Sequence, residues 1–281
     1  MFKKLSFNKV LVVIVTIGLV VIGSIFIYEM SGTVKADSAM PQPPSIDDVP
    51  HDATGESIMY GYRILKETQS ALPPEYIGNA LSCSSCHAIE GRKETAIPLV
   101  GVTVAYPQYR SREDRVMSVE DRVNGCMIRS MNGQELPEDS KEMRALVDYI
   151  TYISSNVPQD SNTPWLGRNA LKNAPEPNIA RGEELYNKSC IACHASDGSG
   201  IGPTIGPALW GEGSFNDGAG LARFSNLVGF IKRNMPLGRG GTLTEQQAAD
   251  LAGFILSHDR PEFKWKEGDW PKGGKPSDSP Y

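Results

Sequence analysis

Cys190-Ile191-Ala192-Cys193-His194, with its earlier counterpart Cys83-Ser84-Ser85-Cys86-His87, decides the fold of this chain. Each stretch has the pattern Cys-x-x-Cys-His, in which two thiols reach the two vinyl groups of a haem and the following imidazole reaches the iron. The two copies take up four of the five cysteines and two of the four histidines. The sequence therefore predicts two covalently bound haem c groups. The attachment residues are Cys83, Cys86, Cys190 and Cys193, and the iron ligands are His87 and His194.

A zinc site or a thioredoxin-like redox pair is the main alternative, because both also use Cys-x-x-Cys. Zinc does not account for a histidine directly after the second cysteine in both copies. Neither pair lies in the strand-rich setting of a thioredoxin-like protein. We therefore favour haem attachment at both motifs.

Length and charge narrow the class of protein further. A chain of 281 residues has room for about two domains. Its formal net charge of −5 argues against a nucleic-acid partner, which usually requires a basic surface.

An apolar segment near the start predicts a membrane anchor. Val10–Ile27 contains no charged residue and follows Lys3, Lys4 and Lys9, so a helix over it would span about 30 Å of hydrocarbon with its start in the cytoplasm. We therefore expect the remaining chain on the extracytoplasmic face of a bacterial cell membrane. The alternative is an exported soluble protein, cleaved near Val34-Lys35-Ala36, but the apolar run is longer than a usual signal core.

The order of elements repeats after this segment. Each haem motif follows a helix and leads through a loop into two further helices, predicted at 119–131 and 141–155 and again at 224–234 and 244–258. This repeat predicts an all-α fold with two cytochrome c-like domains in tandem after an N-terminal transmembrane helix. The predicted divisions are an anchor or signal at 1–30, a tether at 31–50, domain 1 at 51–157, a linker at 158–178 and domain 2 at 179–281.

The second axial ligand of each iron is less directly readable. Met235 follows a helix and precedes the last one, which is the loop position of a thioether ligand in cytochromes. In the first half, aligning Tyr149 with Phe254 places Met131 close to the register of Met235. Repeat symmetry alone therefore favours Met131.

Cys126 is the cysteine left over once both motifs are filled. It lies four residues from both Arg122 and Ser130, so all three share one face of the predicted helix, with Arg129 beside them. A thiol near several arginines would have a lowered pKa and attract anions. The alternatives are a buried inert thiol and arginines that pair with Glu113, Asp114, Glu120 and Asp121. The residues alone leave the role of Cys126 open.

The run at 121–133, Asp-Arg-Val-Asn-Gly-Cys-Met-Ile-Arg-Ser-Met-Asn-Gly, between two haem motifs resembles the dihaem thiosulfate dehydrogenases, which also act as tetrathionate reductases. The resemblance implies that Cys126 and Met235 are the second iron ligands. It also implies that Arg112, Arg122 and Ser130 hold the substrate anion beside Cys126. Some relatives have a lysine before the methionine, where this chain has Asn234.

The implied reaction joins two thiosulfates into tetrathionate with release of two electrons, or reverses this. The second haem would relay electrons to or from an external cytochrome or a membrane respiratory complex. The main alternative is a non-enzymatic dihaem electron carrier that uses Met131 and Met235 as ligands. Another is a cysteine-ligated cytochrome that transfers sulfur to a carrier protein.

Overall fold

The computed structural model describes residues 39–167 and 169–281. Within these residues, no helix is long and apolar enough to cross a membrane. The predicted anchor at Val10–Ile27 and the possible cleavage site at 34–36 lie outside the described part of the chain.

The described chain is mostly helical, as the two haem motifs predict. The first half contains α1 Ala53–Lys66, α2 Thr68–Ala71, α3 Val102–Ala105, strands β1 Gln108–Arg110 and β2 Arg115–Met117, α4 Val119–Arg129 and α5 Lys141–Ile153. The second half contains α6 Ile179–Ser189, α7 Ile191–His194, α8 Phe224–Asn234 and α9 Glu245–Leu256. Short 3-10 turns lie at 46–48, 74–76, 83–85, 164–167, 220–222 and 266–268.

The same helix crossing occurs in both halves. At Gly61 of α1, an added Cβ would lie 2.0 Å from the carbonyl oxygen of Ala145 on α5. At Gly182 of α6, an added Cβ would lie 2.1 Å from the carbonyl oxygen of Asp250 on α9. Only glycine allows such a close backbone approach, so the internal repeat predicted from the sequence extends to this packing detail.

Helix starts and ends follow local capping signals. Ser118 and Asp121 form a capping box at the start of α4, and Thr244 and Gln247 form one at the start of α9. Helix α4 ends at Arg129, two residues before the predicted Met131. It stops there because the chain turns at Asn132, whose φ of 48° is left-handed.

A β-hairpin departs from the all-α prediction. Strands β1 and β2 pair antiparallel, with Tyr109 opposite Val116, and Asp114 in the turn has a φ of 52°. Each strand has three residues, which is too short for an alternating pattern to stand out in the sequence.

The segments predicted as connections pack against the helical halves. In the linker, Trp165 is 2% exposed and donates from Nε1 to the carbonyl oxygen of Val100 at 2.7 Å. In the predicted tether, Met40 and Val49 are buried and belong to the largest hydrophobic core. The described part of that tether is therefore packed against the core. The sequence does not indicate this packing, because these apolar residues lie among polar ones.

The largest core contains residues from both haem-motif halves. It joins Ile64 and Tyr149 of the first half to Phe215 and Phe230 of the second. The last segment, residues 261–281, which we call the strap, returns to the first half and contacts the β-hairpin region through Trp270. This return brings late residues next to the first haem motif's half of the chain.

Candidate functional site

The first cavity lies beside the first haem motif and has an empty volume of about 1100 Å³. Most of its wall is apolar, with side chains such as Leu99, Val123 and Leu146. The candidate functional residues on its wall are Cys83, Cys86, His87, Arg122, Cys126, Ser130 and Met131. The structure therefore brings the first haem motif and the Arg122, Cys126 and Ser130 face of α4 into one space.

Cys126 is the polar centre of this cavity. Arg122 Nη1 donates a hydrogen bond to Cys126 Sγ at 3.0 Å. Burial raises the pKa of Cys126, but the charge of Arg122 and a hydrogen bond from His87 outweigh burial and lower the pKa to about 6. The lowered pKa favours the thiolate form of Cys126 at neutral pH, and its sulfur lies within hydrogen-bond reach of His87.

The two attachment cysteines in this cavity have raised pKa values, unlike Cys126. Burial raises the pKa of Cys83 to about 11 and the pKa of Cys86 to about 12. Cys126 differs from both because the charge of Arg122 stabilises its thiolate. A hydrogen bond from Thr68 lowers the pKa of Cys83, but by less than burial raises it. Of these three thiols, Cys126 is the one suited to act as an anion.

Both motif histidines are oriented in the same way. His87 Nδ1 donates to the carbonyl oxygen of Ile97 at 2.6 Å, and His194 Nδ1 donates to the carbonyl oxygen of Pro207 at 2.8 Å. A backbone acceptor on Nδ1 fixes the ring and leaves Nε2 as the nitrogen that can ligate iron.

The second cavity lies beside the second haem motif and has an empty volume of about 1380 Å³. Cys190, Cys193, His194 and Met235 all line it. The predicted thioether ligand therefore lies in the same cavity as the histidine that it would complement.

The two cavities have a common wall. Leu81 and Cys86 line both of them. Because Cys86 is an attachment residue of the first motif, the two cavities meet at the place where the first haem would be attached.

Arg112 lies apart from the other predicted substrate residues. It does not line the first cavity, and its guanidinium is bound by Asp269 and Tyr281 of the strap. Arg129, which the helical spacing places beside Cys126, likewise turns to Asp269. Arg115 pairs with Asp121, as the surface alternative predicts.

The sequence singles out Trp265 and Trp270 of the strap as packing residues, but not Asp269 or Tyr281, which bind the arginines. Asp269 binds both Arg112 and Arg129, and its side chain is 5% exposed. The signal in the sequence was that residues 110–129 contain more arginines than acidic residues. The position of the missing carboxylate, far along the chain, carried no local pattern.

The residues present fit haem c at both sites. Each cavity has two thiols at the attachment spacing, a histidine with Nε2 available and an apolar wall that suits a porphyrin. Among the described residues, no group of three or more His, Cys, Asp or Glu side chains forms a site that could hold a bare metal ion.

Comparisons with known proteins agree with this geometry. Residues 77–159 match the family described as SoxA/TsdA, cytochrome c domain. Residues 177–255 match the family described as cytochrome C oxidase, cbb3-type, subunit III. The two matches correspond to the two haem-motif halves, so the chain has two cytochrome c domains and carries two covalently attached haem c groups.

Two similar proteins are named thiosulfate dehydrogenase. The thiosulfate dehydrogenase of Allochromatium vinosum is 39% identical over 234 residues, which cover 80% of this chain and 86% of that protein. The thiosulfate dehydrogenase of Stutzerimonas stutzeri is 40% identical over 228 residues, covering 79% of this chain and 73% of that protein.

A solved structure gives the same result. Thiosulfate dehydrogenase (TsdBA) of Marichromatium purpuratum, in its as-isolated form, has a TM-score of 0.74 and 34% identity to this chain. The match covers 80% of this chain and 50% of that one, so this chain spans about half the length of the solved protein. By its sequence, its paired cytochrome c domains and its overall structure, this chain belongs to the thiosulfate dehydrogenase family of oxidoreductases.

Proposed function

We propose that this protein interconverts thiosulfate and tetrathionate at the first cavity and exchanges the electrons with an external carrier through the second domain. The observation that carries the proposal is the position of Cys126, whose Sγ faces His87 and accepts a hydrogen bond from Arg122. The names of the similar proteins support the choice of substrate.

Arg122 and Ser130 are the groups that we propose bind the substrate anion. Both line the cavity that contains Cys126, and both carry hydrogen-bond donors. A guanidinium binds sulfonate-like oxygens through short charge-assisted hydrogen bonds, and it offsets the repulsion between the anionic substrate and the Cys126 thiolate. Arg112 is proposed as a further substrate residue because the family resemblance implies it, although it does not line the cavity.

The haems, when bound, supply one-electron redox chemistry, and two of them match the two electrons of the reaction. In the first step, the Cys126 thiolate and the outer sulfur of one thiosulfate form a sulfur–sulfur bond, and two electrons are released. In the second step, the outer sulfur of another thiosulfate attacks that sulfur. Tetrathionate leaves and the Cys126 thiolate returns. The external carrier finally takes up the two electrons, and tetrathionate reduction is the same sequence reversed.

Two features support the proposal that the second domain is the electron outlet. Leu81 and Cys86 form a thin wall between the two cavities. Met235 lines the second cavity, and a methionine ligand raises the reduction potential of a haem. We propose Cys126 as the second ligand at the first site and Met235 at the second.

A pair of variants tests the proposal against a simple electron carrier. In the purified dihaem protein, Cys126→Ala should abolish tetrathionate formation from thiosulfate with ferricyanide as acceptor, and it should change the absorption spectrum of the first haem. Met131→Leu preserves volume and should leave both unchanged. If Met131→Leu alters the first haem spectrum and Cys126→Ala does not, the protein is an electron carrier with methionine ligands.

We also propose that the chain is exported and held on the extracytoplasmic face of the membrane by residues 10–27. The proposal rests on their lack of charge and on the preceding lysines. Replacing residues 1–36 by a cleavable signal peptide should move the protein from the membrane fraction to the soluble fraction. Finding the unaltered protein soluble, with its start near Asp37, would contradict the anchor.

A further inference from the structure

Asp269 of the strap joins two arginines of the first domain. Its carboxylate accepts from Arg112 Nε at 2.7 Å and from Arg129 Nη1 and Nη2 at 2.9 and 2.8 Å. The hydroxyl of Tyr281 donates to the same carboxylate at 2.6 Å. One nearly buried carboxylate therefore fixes two guanidinium groups that belong to the hairpin and to α4.

The strap holds Arg112 on several sides. The Arg112 guanidinium carbon lies 4.7 Å from the centre of the Trp270 ring. The Trp270 backbone N–H donates to the Arg112 carbonyl oxygen at 2.8 Å. Tyr281 accepts from Arg112 Nη2. The side-chain hydrogen bonds of Arg112 use Nε and Nη2, and within the described residues none is made by Nη1. The strap therefore binds the Nε and Nη2 edge of the guanidinium and leaves Nη1 without a hydrogen bond.

The strap also sets the charge at this edge of the first domain. Burial raises the pKa of Asp269, but its bonds to Arg129, Tyr281 and Arg112 outweigh burial and lower it. Arg129 also pairs with Glu113, whose carboxylate lies 3.7 Å from the Arg129 guanidinium. Arg129 lies on α4, the helix whose Arg122 and Cys126 line the first cavity, so this ion-pair cluster is attached to the helix that forms the cavity wall.

We infer that Asp269 is a positioning residue for anion binding at the first cavity. It orients Arg112 through Nε, so that the free Nη1 edge is presented to the outer end of a thiosulfate or tetrathionate anion. The inference rests on the proposed function, because it assumes that this anion is the substrate. An arginine held in one orientation loses less conformational entropy on binding than a free one, and this lowers the dissociation constant.

The opposite role is a gate, in which Asp269 competes with the substrate for Arg112. The two roles predict opposite signs. Removing the charge of a positioning residue weakens anion binding, whereas removing the charge of a competitor strengthens it.

The test uses the purified dihaem protein with Asp269→Asn, which keeps the side-chain shape and removes the charge. We expect the KM for thiosulfate to rise about tenfold with kcat nearly unchanged. The equilibrium dissociation constant for thiosulfate, measured calorimetrically without an electron acceptor, should rise by the same factor. Lys272→Ala is the matched control, since Lys272 links the strap to Asp114 on the hairpin, is 74% exposed, and contacts neither arginine.

Each outcome decides a separate question. An unchanged or lower KM and dissociation constant in Asp269→Asn overturns the positioning role. An unaltered protein that neither binds nor oxidises thiosulfate overturns the proposed function instead. If Asp269→Asn does not fold, Tyr281→Phe removes one hydrogen bond from each partner and should raise the KM about threefold, and no change in that variant would overturn the inference.

Discussion

Asn234 and Thr95 bind each other through two hydrogen bonds, although 139 residues separate them. Thr95 Oγ1 donates to Asn234 Oδ1 at 2.9 Å, and Asn234 Nδ2 donates to the Thr95 carbonyl oxygen at 2.8 Å. Asn234 is 2% exposed and directly precedes Met235. The Thr95 loop also contains Ile97, whose carbonyl oxygen binds His87. One short loop therefore contacts both the first motif histidine and the chain that carries Met235.

Replacing Asn234 by Ala should loosen the Met235 loop. The variant leaves Thr95 without its partner, and we expect a loss of about 2 kcal/mol in the free energy of unfolding. The absorption band of a methionine-ligated ferric haem should weaken at the second site, and the potential of that haem should fall. Asn124→Ala is the control, because Asn124 also makes two buried bonds, both to Leu136 in the first half. An unchanged band in Asn234→Ala would show that Met235 does not depend on this contact.

Replacing Arg122 by Gln should impair thiosulfate oxidation. The change removes the charge beside Cys126 Sγ and the proposed donor to the substrate, and the loss of such a donor typically lowers activity on the order of 100-fold. Steady-state kcat/KM with ferricyanide is the measurement. Arg115→Gln, whose side chain is 53% exposed and pairs with Asp121, should keep near-normal activity. Equal activities in the two variants would remove Arg122 from the proposed site.

Replacing Asp250 by Asn should reduce stability in a pH-dependent way. The Asp250 side chain is fully buried, pairs with Arg181, and accepts from the Asn178 backbone and the Gln246 side chain. Burial raises its pKa, but the hydrogen bond from Arg181 and the other donors lower it below the ordinary value. We expect the variant to lose about 2 kcal/mol of unfolding free energy at pH 7.

The sign of the pH effect follows from the lowered pKa of Asp250. An unfolded aspartate has a pKa of about 3.9, so the stabilisation is complete above roughly pH 5 and is lost as the pH falls through the lower folded value. Denaturant titrations from pH 7 to pH 3 should therefore show the unaltered protein and Asp250→Asn converging in acid. A constant difference between them would contradict the assignment.

Replacing Gly206 by Ala should disturb the second haem motif. An added Cβ at Gly206 would lie 2.0 Å from the carbonyl oxygen of Cys193, so the loop would have to move away from an attachment residue. We expect a loss of about 3 kcal/mol in stability, as for overpacked sites, and less haem bound to the second motif. Gly220→Ala is the control, since no atom lies within 4 Å of an added Cβ there. Mass spectrometry of the attached haem tests both variants.

Short-range patterns determined much of this protein from the sequence. The two Cys-x-x-Cys-His motifs, the capping boxes at Ser118 and Thr244, and the helix face of Arg122, Cys126 and Ser130 each involve residues within one or two helical turns. Such interactions depend on local spacing alone, which a sequence displays directly. For the same reason, the predicted helix α8 at 224–234 matches the observed one.

Long-range contacts were decided only by the tertiary structure. Asp269 meets Arg112 across 157 residues, and Asn234 meets Thr95 across 139. Trp165 is buried in a segment that reads as a linker. Any acidic residue is a possible partner for an arginine in the sequence, and the choice among them depends on which surfaces the packed helices bring together. The haem attachment of this protein was therefore readable in the sequence, whereas the partners of the arginines proposed to bind substrate emerged only from the fold.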